Sequence, residues 1–123
     1  MPASARVATR TDLAVGNPTA ASYHTAKTVV AGASTLSAAV EAGHFLDGFS
    51  DEDQKEVRAV LAAVPASVDR AFMASLHAAL NENRKVVFRW EEQRDLTFEH
   101  AVQTDGDTSV LTLRTPHPSR LLG

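Results

Sequence analysis

A chain of 123 residues with 44% apolar side chains and a net charge of -3 is one domain's worth of polypeptide, with enough hydrophobic content for a core and no basic excess of the kind that marks nucleic-acid binding. It has no cysteine, which excludes disulfides, thiolate metal sites and cysteine nucleophiles. No stretch approaches the roughly 18 to 20 apolar residues that span a bilayer, and the N-terminal MPASARVATRTDLAVGNPT lacks a signal-peptide apolar run, so the expectation is a soluble, cytoplasmic chain.

Residues 1–16 mix Ser, Ala, Thr and Arg without sustained periodicity and read as a flexible arm. Asn17-Pro18 signals a helix start, because Asn caps free amides and Pro at the first helical position loses no useful donor. From there to about Ala42, the residues Ala26, Val29, Val30, Ala33, Leu36 and Val40 recur at three- and four-residue steps. This predicts one long helix with a face of small side chains, Gly32 in its middle and Gly43 as its stop. Such a face allows close approach of another surface but buries little area by itself. GHFLDGFS follows as a connector, with Phe45, Leu46 and Phe49 expected inside. Ser50 caps a second helix, with Asp53 at its third position and Asp51 and Glu52 favoured by the helix dipole. Val57, Val60, Leu61 and Val64 form its apolar face. Pro65 cannot continue the ladder and separates a third helix, residues 66–82, which buries Val68, Phe72, Leu76 and Leu80 with Met73 and Ala79.

After NENR the period changes from helical to alternating. Val86, Phe88 and Trp90 alternate with Val87, Arg89 and Glu91, the pattern of a strand with one apolar face. EQRD reads as a turn, and Leu96, Phe98 and Val102 continue the apolar face on a return strand. TDGD carries the Asp-Gly pair of a tight hairpin, and Leu111 and Leu113 supply a third strand. Three strands with one apolar face need a cover, and the third helix is the natural one. The predicted fold is therefore α+β, three helices followed by a three-stranded antiparallel β-meander packed on the third helix. The chain divides into the arm 1–16, a single domain 17–114 and an extended tail 115–123.

The chemistry-bearing residues form no catalytic set. His24, His44, His77, His100 and His117 show no i, i+4 pair and no HExxH, so no metal site is expected. His100, in the apolar row of its strand, reads as a satisfied, half-buried histidine. Glu91, Glu92 and Glu99 flank a hairpin and read as solvated charges rather than an acid–base pair. No Gly-x-Ser-x-Gly elbow occurs, and VAGAS lies inside a helical pattern rather than in a phosphate loop. Arginine outnumbers lysine nine to three, but 21 alanines accompany it and a GC-rich coding bias accounts for both. FRW on an acidic chain lacks the positive groove of a single-strand binder. Trp and Arg concentrate at interface hot spots, and Pro116 and Pro118 favour an extended path for TPHPSRLLG. The expected partner interface is therefore Trp90, Arg89, His117, Arg120, Leu121 and Leu122.

A long small-residue helix, two amphipathic helices across LAAVPASVDRAFMASLHAAL, then VVFRWEE and a meander ending in TPHP resembles the small subunit of two-component cyclodipeptide oxidases, from about Pro18 onward. The resemblance implies a chain with no independent activity and no cofactor of its own. It implies co-assembly with a larger, nitroreductase-like subunit that carries flavin mononucleotide (FMN). Together the two would dehydrogenate Cα–Cβ bonds of cyclic dipeptides in filamentous assemblies, passing electrons to oxygen. It carries no catalytic residue onto a numbered position here, since the chemistry belongs to the flavin and its host. The residues alone give a more general expectation, an accessory or assembly subunit. The competing class is a stand-alone binding module of antitoxin or immunity type, with EEQRD occluding a basic site; a small self-sufficient enzyme ranks third.

Overall fold

Four strands form one mixed sheet: β1 at Ala5–Arg10, β2 at Lys85–Gln93, β3 at Glu99–Asp105 and β4 at Thr108–Pro116, in the order β1-β2-β4-β3. The helices are α1 at Leu36–Ala42, α2 at Asp51–Leu61, α3 at Ala66–Asn81 and the short α4 at Pro118–Leu122. The computed structural model describes residues 5–10 and 27–122, of which 9, 10, 121 and 122 are described by their backbone alone. The expected start at Asn17-Pro18 and the expected apolar position Ala26 lie outside the described residues.

The class is α+β as predicted, but the three-stranded antiparallel meander is not what forms. β2 pairs antiparallel with β1 on one side and parallel with β4 on the other, and β3 pairs with β4 alone. Two strand spacings are about 10 Å, and the five-residue connection 94–98 carries the chain that far past β2, leaving a vacant place. The hairpin then returns β4 into the gap. Asp105 pairs with Thr108, and Gly106 takes φ +60 while Asp107 does not go left-handed, the backbone signs of a type II′ turn. Burial explains the order. β4 is buried or half-buried along its whole length, with Leu111 and Leu113 fully enclosed, whereas β3 is mostly exposed. The apolar strand takes the centre and the polar one the edge.

The fourth strand comes from the segment expected to be a flexible arm. Ala8 on β1 is 2% exposed and sits opposite Phe88, so this part of the chain belongs to the core. The long first helix is also interrupted. Residues 27–31 are helical, the chain breaks over 32–35, and α1 starts afresh. The break is locally encoded: the Thr35 hydroxyl accepts from the Ala38 amide at 3.1 Å, and Asp69 of α3 accepts from the Leu36 amide at 3.1 Å. Two amides freed by the break are thereby satisfied, one locally and one by tertiary contact. At the end of α1, Gly43 is not the left-handed residue; its φ is -85 and His44 takes φ 55. Glycine is required for another reason, since a Cβ there would lie 2.9 Å from the Phe45 ring.

α2 begins as expected, its Ser50 hydroxyl accepting from the Asp53 amide at 3.1 Å. α3 lies across β2, β3 and β4. Phe72, Leu76, Phe88, Leu111 and Leu113 are fully buried together, with Phe98 partly buried against them. The connector contributes Phe45, Leu46 and Phe49. Phe88 is the hub: Phe72 meets it edge-on at 6.0 Å, and Phe45 and Phe49 lie at 6.2 and 6.1 Å. The last segment is not extended throughout, because Thr115 and Pro116 complete β4 and α4 packs against α2. Replacing Phe88 by Ala is expected to cost about 3–5 kcal/mol, the scale for emptying a buried aromatic site. Chemical denaturation measures it, and an unchanged midpoint would place Phe88 outside the core.

Candidate functional site

All described helices lie on one face of the sheet. The opposite face carries, in register, Val7, Arg89, Thr112 and Ala101 as one row and Val87, Val110 and Gln103 as the next. Among the described residues no helix covers it. Val7 is 45% exposed, Val87, Val110 and Ala101 are half-buried, and Glu91 and Arg114 pair at 3.0 Å along one margin. Arg89 stands in the middle of this surface, and its Nε is shut off from water with no hydrogen-bond partner. Among the described residues no carboxylate pairs with it. A buried guanidinium donor without an acceptor costs free energy until something meets it.

The six expected interface residues separate in space. Trp90 is on the other face, fully buried; its indole N–H donates to the Thr115 hydroxyl at 2.9 Å, and Phe49 stacks on it at 6.5 Å. It ties the start of the tail to the domain's own core. Arg120 is exposed and donates to the Arg94 carbonyl at 3.1 Å, within the same chain. The His117 Nδ1 accepts from the Ser119 amide at 3.1 Å, which leaves Nε2 to carry the proton toward Glu92 Oε2 at 3.4 Å. The side chains of Leu121 and Leu122 lie outside the described residues. Arg89 is on the opposite face, which no described helix covers.

A polar cluster that the sequence did not announce closes one end of the core. The Arg6 guanidinium lies 4.4 Å above the Trp90 ring. Its NH1 approaches Asp53 at 3.1 Å and Glu56 at 2.8 Å, and its NH2 approaches Glu92 at 2.6 Å. Burial pulls the Arg6 pKa down, but the hydrogen bond with Glu56 and the charges of Glu92, Asp53 and Glu56 raise it overall. Glu92, expected as a solvated hairpin charge, is 7% exposed at its side chain. Its place one strand step beyond Trp90 put it on the inner face, a signal the alternation already contained. Among the described residues no group of three or more His, Asp or Glu side chains is arranged to hold a metal ion.

His100 lies in the same inner row as Trp90 and Leu113, at the β3 edge. Both its ring nitrogens are engaged, with the Thr112 carbonyl and with the Ser75 hydroxyl, each at 3.0 Å. Burial pushes its pKa below the ordinary histidine value, opposed by the bond to Thr112. Ser75 was not singled out from the sequence, since nothing local marks a serine in the middle of a helix.

No family model, curated protein or solved structure matches this chain. No single helix among the described residues is long and apolar enough to cross a membrane.

Two outcomes test the buried polar groups. Arg6→Met strands Glu92 beside Trp90 and should cost about 3 kcal/mol, the scale for breaking a buried ion pair, with partial recovery when Glu92→Gln is added. Denaturation of the two variants gives the comparison. For His100, the unfolded chain takes up a proton at higher pH than the folded one, so its contribution to stability is complete above about pH 6.5 and is lost as pH falls below it. His100→Gln should flatten that part of the stability–pH curve; an unaltered slope would show that another group sets it.

Proposed function

We propose that this chain is an accessory subunit that joins a larger flavin-dependent oxidoreductase through the outer face of its sheet, which no described helix covers. The observation that carries the docking part is Arg89, a guanidinium held among Val7, Val87, Val110 and Thr112 with its Nε out of water and unmatched. An apolar partner surface presenting an Asp or Glu carboxylate would satisfy that donor and bury the surrounding valines together. Central arginines within apolar surroundings are what interface hot spots are made of. The flavin part rests on the resemblance to the cyclodipeptide oxidase small subunit. In this reading the partner is nitroreductase-like and holds the FMN, the substrate is a cyclic dipeptide, and the assembly is a cytoplasmic hetero-oligomer or filament.

The test is co-expression of the tagged chain with the larger proteins encoded beside it. The expected result is a yellow, flavin-containing partner that co-elutes, and a chain that shows no flavin absorbance when purified alone. Val110→Asp and Arg89→Leu should each remove or strongly weaken co-elution, by about 2–5 kcal/mol of binding for the arginine. Melting of the isolated variants should stay within about 1 kcal/mol of the parent. A colourless partner captured by the same face would replace the oxidoreductase reading with that of a binding module. If Val110→Asp melts like a core variant, the chain itself covers this face and the docking reading fails.

A further inference from the structure

A hydrogen-bonded Ser75–His100 pair lies at the β3 edge of the sheet's inner face, on the far side from Arg89. The Thr112 carbonyl can only accept, so His100 Nδ1, 3.0 Å away, must carry the ring proton. Nε2 then presents its lone pair to the Ser75 hydroxyl, also at 3.0 Å. The same hydroxyl lies 3.1 Å from the Ala71 carbonyl one turn back. One hydroxyl proton thus has two acceptors. With the ring neutral it goes to Nε2; with the ring protonated, Nε2–H donates to Oγ and the hydroxyl turns to Ala71. The chain Ala71–Ser75–His100–Thr112 stays hydrogen-bonded in both states. Phe72, 5.1 Å from the imidazole, packs against the ring and holds its orientation.

Ser75 also lines a cleft of about 300 Å³ between α3 and the β3–β4 hairpin, with Ala79, Val102, Thr104, Ser109 and Arg84. Arg84 is anchored there: its Nε donates to Ser109 at 2.8 Å, and one NH2 group donates to the Gly106 and Thr108 carbonyls at 2.8 Å each. Its NH1 has no hydrogen bond among the described residues. The cleft therefore combines a hydroxyl hydrogen-bonded to a correctly protonated base, an apolar wall from Ala79 and Val102, and a fixed cation. A nucleophile bonded to a base, with the base held by a third group, is the arrangement that nucleophilic catalysis requires.

We propose that Ser75 and His100 form a nucleophile–base pair that hydrolyses short-chain acyl esters in this cleft. Ser75 Oγ adds to the ester carbonyl carbon while His100 Nε2 takes the hydroxyl proton. The carbonyl oxygen gains the negative charge, next to the Arg84 guanidinium. The C–O bond to the alcohol breaks, and the imidazolium returns its proton to the leaving alkoxide. Water then adds to the acyl-serine as Nε2 takes its proton, and Ser75 leaves with that proton restored, releasing the carboxylic acid. The cleft is at the small end of ligand pockets, which sets the acyl length.

The experiment uses the full chain alone, so its result is independent of any partner. The protein is incubated with a fluorophosphonate probe and with p-nitrophenyl butyrate, and adducts are located by mass spectrometry. The expected result is a single adduct on Ser75 and ester turnover, both absent in Ser75→Ala and retained in Ser67→Ala, on the exposed first turn of the same helix. His100→Gln should slow labelling by about 100-fold, the scale of general-base assistance. The labelling rate in the parent should rise with pH through a single ionisation. If His100→Gln proves poorly folded by melting, the nitrogen-15 shifts of the imidazole in the parent decide instead, with Nδ1 protonated and Nε2 bare as the required pattern. No adduct, an adduct on another residue, equal labelling in His100→Gln, or a proton on Nε2 in the neutral ring would each overturn the proposal.

Discussion

The parallel pairing of β2 with β4 is the constraint from which the remaining arrangement follows. It sets Phe88 beside Leu111 and Trp90 beside Leu113, so the bulkiest apolar side chains of both strands lie in two adjacent rows. Burying each is worth about 1.5–3 kcal/mol, and together they demand a cover across both strands. α3 supplies it with Phe72 and Leu76, and the connector adds Phe45 and Phe49 from the other end. With the centre occupied, the flanks fall to strands that tolerate water on one side. β3, polar along most of its length, takes one edge, and β1, with Ala8 as its inward apolar contact, takes the other.

The same inner face then has to accommodate polar groups where the apolar rows end, and each end does so differently. Beyond Trp90, Glu92 is drawn below the surface and neutralised by Arg6, which also lies on the indole ring. Nearby, Trp90 donates to the Thr115 hydroxyl, which donates in turn to the Pro116 carbonyl. At the hairpin end, Ser109 accepts from Arg84, which also ties down two hairpin carbonyls. At the β3 edge His100 bridges α3 and β4. These bonds offset the desolvation of the groups that make them, and they pin the strand termini that carry no apolar contact of their own.

The sheet's two faces suit different roles. The inner one is closed by aromatic packing except at the β3 edge, where the Ser75 cleft opens. The outer one keeps a central arginine and a set of valines without a described cover. Because a partner on the outer face would lie on the far side of the sheet from the cleft, docking need not obstruct it. The tail, expected to reach for a partner, also contacts its own domain through His117, Arg120 and α4.

Local chemistry was readable in the sequence wherever one short stretch sufficed to determine it. The Ser50 cap, the Pro65 break, the apolar faces of α2 and α3, the inward phase of Val86, Phe88 and Trp90, and the Asp-Gly hairpin all depend on neighbours within one or two turns of chain. The class α+β and most of the core followed from them. The phase of Arg89, opposite to that of Phe88 and Trp90, put it on the outer face. What sequence periodicity does not encode is which strand sits beside which. β3 and β4 present the same alternation whether they form a meander or a mixed sheet, and only the competition for the buried centre decides between them. The strand at Ala5–Arg10 has no period of its own because its inward contacts are a small alanine and an arginine, whose partners Glu92, Asp53 and Glu56 lie more than forty residues away. The Ser75–His100 contact is equally non-local, made by a helix and an edge strand that meet because α3 packs across β2, β4 and β3 together. The sequence by itself determined the elements, their caps and their buried faces; the tertiary structure decided their neighbours, and with them every polar contact on which a function would rest, because those contacts are made between elements and not within them.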